Sequence, residues 1–212
     1  LAKATTSATG QGRTYGGQSS GERRAERQER LIRAAVDTYG EQGYRRTTVA
    51  DVCRAAGLTP RYFYESFANS EALLIAAYEA VTRIALETVQ AAASGLGETE
   101  REARLEAMLR GYYTLLREKP AAARVFVTEM SGISAAVDAA FERGLAEFAR
   151  VLALTLDPDG RKTGANVLRE TGAMHGLLAI ARTWIAHGCN EPVAEVVAIA
   201  KPFCRILVSQ DA

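Results

Sequence analysis

Two histidines, three cysteines and one tryptophan in 212 residues leave little for reactive or metal-binding chemistry. His175 and His187 stand twelve apart with no second metal-type ligand near either, which argues against zinc. Cys53, Cys189 and Cys204 are odd in number and lack Cys-x-x-Cys spacing. Each reads as a free thiol on the apolar side of a helix, in a reducing compartment. No nucleophile pairs with a base, no glycine loop cradles a phosphate, and no carboxylates cluster. Gly17-Gln18-Ser19-Ser20-Gly21 fits G-x-S-x-G, but no strand precedes it to hold a nucleophile elbow, so the match is chance. No apolar run approaches the roughly 18 residues of a membrane span. The N-terminal Gly/Ser/Thr/Ala tract lacks the apolar segment of a signal peptide. These absences predict a cytoplasmic protein that is not an enzyme and has no metal, no cofactor and no membrane partner.

What is present is mostly helical. Hydrophobic residues make up 48%, alanine is abundant, prolines number five, and no stretch alternates like a strand. The net charge of +1 hides an asymmetry: residues 1–67 carry 11 basic against 7 acidic side chains, or +4, and the remainder carries −3. A basic front on a mildly acidic body suits a DNA-reading module attached to something else.

Residues 1–20, low in bulky apolar side chains, read as a disordered tail whose Arg13 is a candidate for the minor groove. From Glu22 a helix is expected, with Leu31, Ile32, Ala35, Val36 and Tyr39 on one face. Arg23, Arg24, Arg27, Arg30 and Arg33 on the other form either a solvated face or a set of phosphate contacts. Gly43 ends it. A second helix opens at Thr48, where Thr-Val-Ala-Asp approximates a capping box, and stops at Gly57. A third has Thr59 as N-cap and Pro60 at its first position, and runs to about Ser66 or Phe67. Val49, Val52, Cys53, Ala56, Leu58, Phe63 and Phe67 are the expected small core. Two short helices joined at Gly57 have helix-turn-helix spacing, which presents the second helix to the major groove. Asn69 then caps a long helix to about Ala93. Further helices are expected at about 98–118, 121–130, 134–156, 162–188 and 192–209. The whole is an all-α fold of about nine helices: a tail at 1–20, a DNA-binding domain at 21–68, and an effector-binding and dimerisation domain at 69–212.

Residues 24–75 resemble the TetR family of transcriptional repressors. The resemblance rests on Tyr39-Gly40-Glu41-Gln42-Gly43-Tyr44, on Thr47 to Gly57, on Leu58-Thr59-Pro60-Arg61-Tyr62-Phe63-Tyr64-Glu65-Ser66-Phe67, and on Asn69-Ser70-Glu71-Ala72-Leu73. By position it implies that Thr59, Pro60, Arg61 and Tyr62 meet base edges and adjacent phosphates. Arg61 is suited to guanine O6/N7, and the Tyr64 hydroxyl to a phosphate. Thr47 and Thr48 belong to the same set, with Thr48 at a helix N-terminus that favours anions. The family commonly has lysine where Ser70 stands, so one phosphate contact is missing there; Arg45, Arg46 or the helix-1 arginines are candidates to replace it.

In the C-terminal part, Val193, Val196, Val197, Ala200, Cys204 and Leu207 recur at helical spacing, and Ala165, Gly172, Gly176 and Ala179 form a small-residue stripe. These either pair two subunits through a four-helix bundle or fill an ordinary intrachain core. Tyr78, Met108, Tyr112, Tyr113, Phe126 and Met130, with His175 as a polar partner, are candidates to line an effector cavity. The expected function is a ligand-responsive repressor that binds a palindromic double-stranded DNA operator as a homodimer and is released by an unidentified small-molecule effector. The competing readings are a DNA-binding scaffold without an effector and a helical enzyme.

Overall fold

The computed structural model describes residues 19–97, 99–156 and 167–207. Among them run nine α-helices: α1 (Ser20–Gln42), α2 (Val49–Ala56), α3 (Pro60–Ser66), α4 (Ser70–Ala93), α5 (Arg101–Glu118), α6 (Pro120–Val127), α7 (Ala135–Leu156), α8 (Val167–Ala186) and α9 (Val193–Arg205), with a 3₁₀ turn at Tyr44–Arg46 between α1 and α2. The described residues contain no strand.

Most boundaries follow from local chemistry that the sequence displays. Thr48 and Asp51 form a reciprocal capping box at α2, which ends on Gly57 in the left-handed region (φ 62°). Asn69 caps α4 through the Ala72 N–H. Several boundaries differ from expectation, the end of α9 among them, which falls at Arg205 rather than about 209. Helix α1 starts at Ser20, because Ser19 caps it and Glu22 answers as the third residue of a second capping box. Helix α5 starts at Arg101, since Glu100 turns back to accept from the Gly97 N–H at 2.8 Å. Helix α6 spans only Pro120–Val127, opening on proline as α3 does. The expected start of α8 at 162 and the tail up to Gln18 lie outside the described residues.

A continuous apolar core runs from Leu31 in α1 to Leu207 after α9. The two short helices α2 and α3 bring Val52, Cys53, Ala56, Phe63 and Phe67 to the buried centre they share with α1. They join the C-terminal part where α1 crosses α6. Gly40 there lies so close to Ala121 that a Cβ would stand 2.4 Å from its Cα. Cys53 and Cys204 are buried free thiols. Cys189 departs from the helical placement expected of it: it is half-buried in the turn after α8, at φ 56°.

The stripe expected to pair subunits through α9 faces inward. Val193, Val196, Val197, Ala200, Cys204 and Leu207 are each at most 7% exposed within a single chain. They pack on α5 and α8, so helical spacing here records an intrachain core. Gly176 serves the same packing, with the Phe203 ring filling the space its missing side chain leaves. Gly172 and Ala179 instead lie on the exposed face of α8, and Ala165 lies outside the described residues. On α9 the outward apolar residues are Ile199 (51% exposed) and Ile206, just past its end (43%).

Two consequences are measurable. Gly40→Ala places a methyl group against main chain that cannot swing away, and overpacking of this kind costs about 1–3 kcal/mol. A lower urea midpoint with unchanged far-UV circular dichroism is expected. Tyr39, Tyr78, Tyr112 and Tyr113 are buried, and desolvation raises all four phenols, Tyr78 to about 12. The folded state thus holds their protons above the ordinary value of 10, and the associated stability falls as pH rises beyond it. Alkaline spectrophotometric titration should show these phenols ionising only together with unfolding.

Candidate nucleic-acid interface and effector cavity

Helix α3 is seven residues long, too short to persist alone. It buries Phe63 (fully) and Phe67 and turns Thr59, Pro60, Arg61, Tyr62 and Tyr64 outward. Tyr64 is 66% exposed, an unusual position for an aromatic ring unless something is to cover it. The Arg61 side chain is 84% exposed, and its Nε donates to Glu65 Oε1 at 3.0 Å. An exposed pair of this type contributes at most about 1 kcal/mol, whereas a bidentate guanine contact is worth about 1–3 kcal/mol. The pair therefore holds Arg61 in readiness without locking it.

The α1 arginines have a part in this that spacing alone did not reveal. Three of them, Arg24, Arg27 and Arg30, turn to α2 and α3, while Arg33 is exposed at the surface. Arg24 Nη2 donates to the Glu65 carbonyl at 2.7 Å, and Arg30 Nη2 to the Ala56 carbonyl at 2.7 Å. Arg27 lies over the Tyr62 ring, 4.7 Å from its centroid, and 3.9 Å from the Glu65 carboxylate. The three guanidinia thus hold the C-terminal carbonyls of α2 and α3, the negative ends of those helices, and one face of Tyr62. The regular three- and four-residue recurrence of these arginines was visible in the sequence; that their partners were carbonyls some 26 to 41 residues away was not.

The other expected DNA contacts divide. The Thr48 hydroxyl donates to Asp51 Oδ2 at 2.6 Å, and the Thr48 N–H donates to the same oxygen. Those hydrogen bonds hold the Asp51 carboxyl below the usual carboxylate range, the hydroxyl contributing most. What α2 offers an anion is therefore its first free N–H groups more than the threonine side chain. Thr47 Oγ1 donates to the Gly43 carbonyl at 2.9 Å, Arg46 Nε to the Gln42 carbonyl at 2.6 Å, and Arg45 Nη2 to the Gly132 carbonyl at 2.6 Å. Ser70 Oγ lies 3.0 Å from the Tyr44 hydroxyl. These four brace the 3₁₀ turn.

That brace reaches into the C-terminal part. Glu129, after α6, accepts from the Tyr44 N–H at 2.8 Å, and Ser134 donates to Glu71 at 2.7 Å. From the other side Arg182 of α8 donates to the Val127 carbonyl and, at 3.0 Å, to Ser131 Oγ. Residues 127–134 thus connect α8 to the turn that precedes α2 and to the start of α4.

Between α4, α5, α6, α7 and α8 lies an apolar void of 40 Å³, measured as space open to the centre of a water molecule. It holds little more than a few waters. Met108, Tyr112 and Phe126 line it, as expected. Tyr78 instead faces a groove between α4 and α7, its hydroxyl donating to the Phe141 carbonyl at 3.2 Å. His175 lines a separate groove between α7 and α8. Tyr113 is wholly buried edge-on against Trp184, and Met130 is buried in the core. Val89, Leu109, Leu145, Phe148, Leu152, Met174, Leu177 and Leu178 complete the lining; aliphatic residues at helical spacing look alike whether they face a void or a neighbour. Among the described residues, no group of three His, Cys, Asp or Glu side chains could hold a metal ion. No helix there is long and apolar enough to cross a membrane.

If the α1 arginines orient α3, Arg27→Met should preserve the fold but loosen that helix. The expected result is faster amide exchange at Tyr62–Ser66, with little change in the amides of α5 and α9; uniform acceleration would instead mean a general loss of stability.

Residues 31–77 match the family model described as bacterial regulatory proteins, tetR family. Comparison with curated proteins finds no match. Among solved structures the chain is similar to the fatty acid degradation regulator FadR from Bacillus halodurans, at 19% identity over 85% of this chain and 94% of that one, with a TM-score of 0.68. It is equally similar in fold to FadR from Bacillus subtilis in complex with stearoyl-CoA, at 20% identity over 85% and 97% of the two chains, TM-score 0.68. A TetR-family regulator from Rhodococcus sp. has 17% identity over 87% and 100%, TM-score 0.68. Residues 31–77 thus carry the helix-turn-helix segment of the tetR family of bacterial regulatory proteins, and the remaining described helices adopt the all-α architecture of these structures.

Proposed function

We propose that the protein is a ligand-responsive repressor that binds a palindromic DNA operator as a homodimer. The observation that carries this reading is the outward face of α3, where Arg61 and Tyr64 stand exposed on a helix whose orientation is fixed by three arginines. Arg61 would read guanine, Tyr64 and the free N–H groups at the start of α2 would meet phosphates, and Tyr62 would offer the ring face not covered by Arg27.

Dimerisation would use the outward faces of α8 and α9. Gly172 and Ala179 leave the α8 surface low enough for close helix approach, and Ile199 and Ile206 are exposed apolar side chains suited to burial against a second copy. Two recognition helices related by a two-fold would then meet half-sites about 34–36 Å apart.

The effector would bind at the void around Met108, Tyr112 and Phe126. That a neighbour of this fold is found with stearoyl-CoA supports a small-molecule ligand for the fold. Ligand would favour a conformer in which α6 and the first turn of α4 shift, and the 127–134 segment would pass that shift to Tyr44 and Arg45. DNA release would go only as far as the ligand's preference for that conformer over the DNA-binding one. A second reading, a DNA-binding scaffold with no effector, is favoured by the small size of the void.

The test begins with a duplex selected from a random pool by the purified protein. A gel shift is expected. Arg61→Ala should weaken the selected site by about 1–3 kcal/mol and relax preference at one base pair per half-site. Ala179→Arg should yield a folded monomer by sedimentation equilibrium with little operator affinity. Absence of any selected sequence would overturn the DNA-binding reading. A dimer unaffected by Ala179→Arg would overturn the α8 interface.

A further inference from the structure

The grooves on the C-terminal part differ in charge. The α4–α7 groove is mixed, with Glu79, Glu87 and Glu147 against Arg83 and Arg143, and the α7–α8 groove carries Glu142 and Glu170 with His175. A third groove, of 210 Å³, lies between the end of α4, the start of α5 and the end of α7. It contains Arg104 and Arg150 with Gln90 and Thr155, and no acid among the described residues. Arg104 donates through Nη1 to the Leu96 carbonyl at 3.0 Å, which ties one edge of its guanidinium to the turn after α4. Arg150 is exposed, and no partner among the described residues engages it.

This basic groove backs onto the apolar void. Val89 lines the void and Gln90 the groove; Leu152 lines the void and Val151 the groove; Met108 lines both. Met108 is buried where the two meet, with the Thr155 hydroxyl 3.3 Å from its Sδ and donating to the Val151 carbonyl at 3.0 Å. A methionine has three rotatable bonds and repacks at low cost, so its rotation joins a cationic mouth to an apolar interior.

We infer that this pair of cavities is the site of an amphipathic anion, with a carboxylate or phosphate group held at Arg150 and Arg104 and an apolar chain passing Met108 into the void. The inference rests on the ligand-responsive reading and assigns it a chemical class. Guanidinium forks match both anion types; a cation has no acidic complement in the groove lining, and an uncharged head gains only neutral hydrogen bonds there, as from Gln90 and Thr155. Arg104 also secures the α4–α5 turn, so the informative variant is Arg150→Gln, at an exposed position where folding is not at stake.

Isothermal titration calorimetry on the full chain, with decanoate, decyl phosphate, 1-decanol and decyltrimethylammonium as probes, tests the assignment. At least one anion is expected to bind, about tenfold or more tighter than the alcohol, with no binding of the cation. Arg150→Gln should weaken the anion about tenfold and leave the alcohol unchanged. Met108→Phe should abolish binding of the chain, with the melting temperature reporting that the fold is intact. The ratio of decanoate to decyl phosphate affinity separates a carboxylate from a phosphate ligand. Equal binding of anion and alcohol, or a wild-type affinity for the anion in Arg150→Gln or Met108→Phe, would overturn the site. Parallel gel shifts keep the two readings apart. Anion binding without operator release supports the site and removes the sensor. Operator release by another class of molecule, with no anion binding, removes the site and leaves the sensor.

Discussion

The arrangement depends on guanidinium groups of one helix holding the carbonyl ends of two others. Helix α3 has seven residues and α2 has eight, and neither has enough internal hydrogen bonds to define its own direction. Phe63 and Phe67 bring α3 to the core but leave it free to rock about the axis of that contact. Arg24 and Arg30, fixed on the 23-residue α1, remove that freedom at Glu65 and Ala56, and Arg27 does so at the Tyr62 ring. A long helix thereby lends its rigidity to two short ones. The same α1 meets α6 through Gly40 and Ala121 in main-chain contact, so its direction is set in turn by the C-terminal part.

The sequence made the elements legible wherever the determinant was local. Thr48 with Asp51, Gly57 and Asn69 each act within four residues, and the helices they bound came out where expected. The match over residues 31–77 reflects the same clarity, because the short helices carry turn chemistry and core positions in a fixed order. Where the partner is distant, the pattern is ambiguous. The α9 residues Val196, Val197 and Ala200 have the spacing of an interface and the spacing of a core, and only the position of α5 decides for core. Tyr113 and Tyr112 are adjacent and equally aromatic, yet a rotation of about 100° per residue puts one against Trp184 and the other beside the void.

The polar contacts outside the helices gather at one level of the molecule. Glu129, Gly132 and Ser134 on one strip of chain engage Tyr44, Arg45 and Glu71, and Arg182 holds the strip from the opposite side. These are single hydrogen bonds to main chain and carboxylate, each worth on the order of 1 kcal/mol net. They can be exchanged one at a time while the aromatic cluster of Tyr78, Phe126 and Phe148 beneath them stays packed.

The inward use of arginine also changes what the surface presents to a polyelectrolyte. Formal counting assigns the front of the chain an excess of four positive charges, but Arg24, Arg30, Arg45 and Arg46 each give a donor to a backbone carbonyl of the protein itself. A bond to a neutral carbonyl leaves each guanidinium its charge but fixes its position, so these four charges would meet a polyelectrolyte at set points rather than on free arms. Contact at fixed points would reward a match of shape between two surfaces over opposite charge alone.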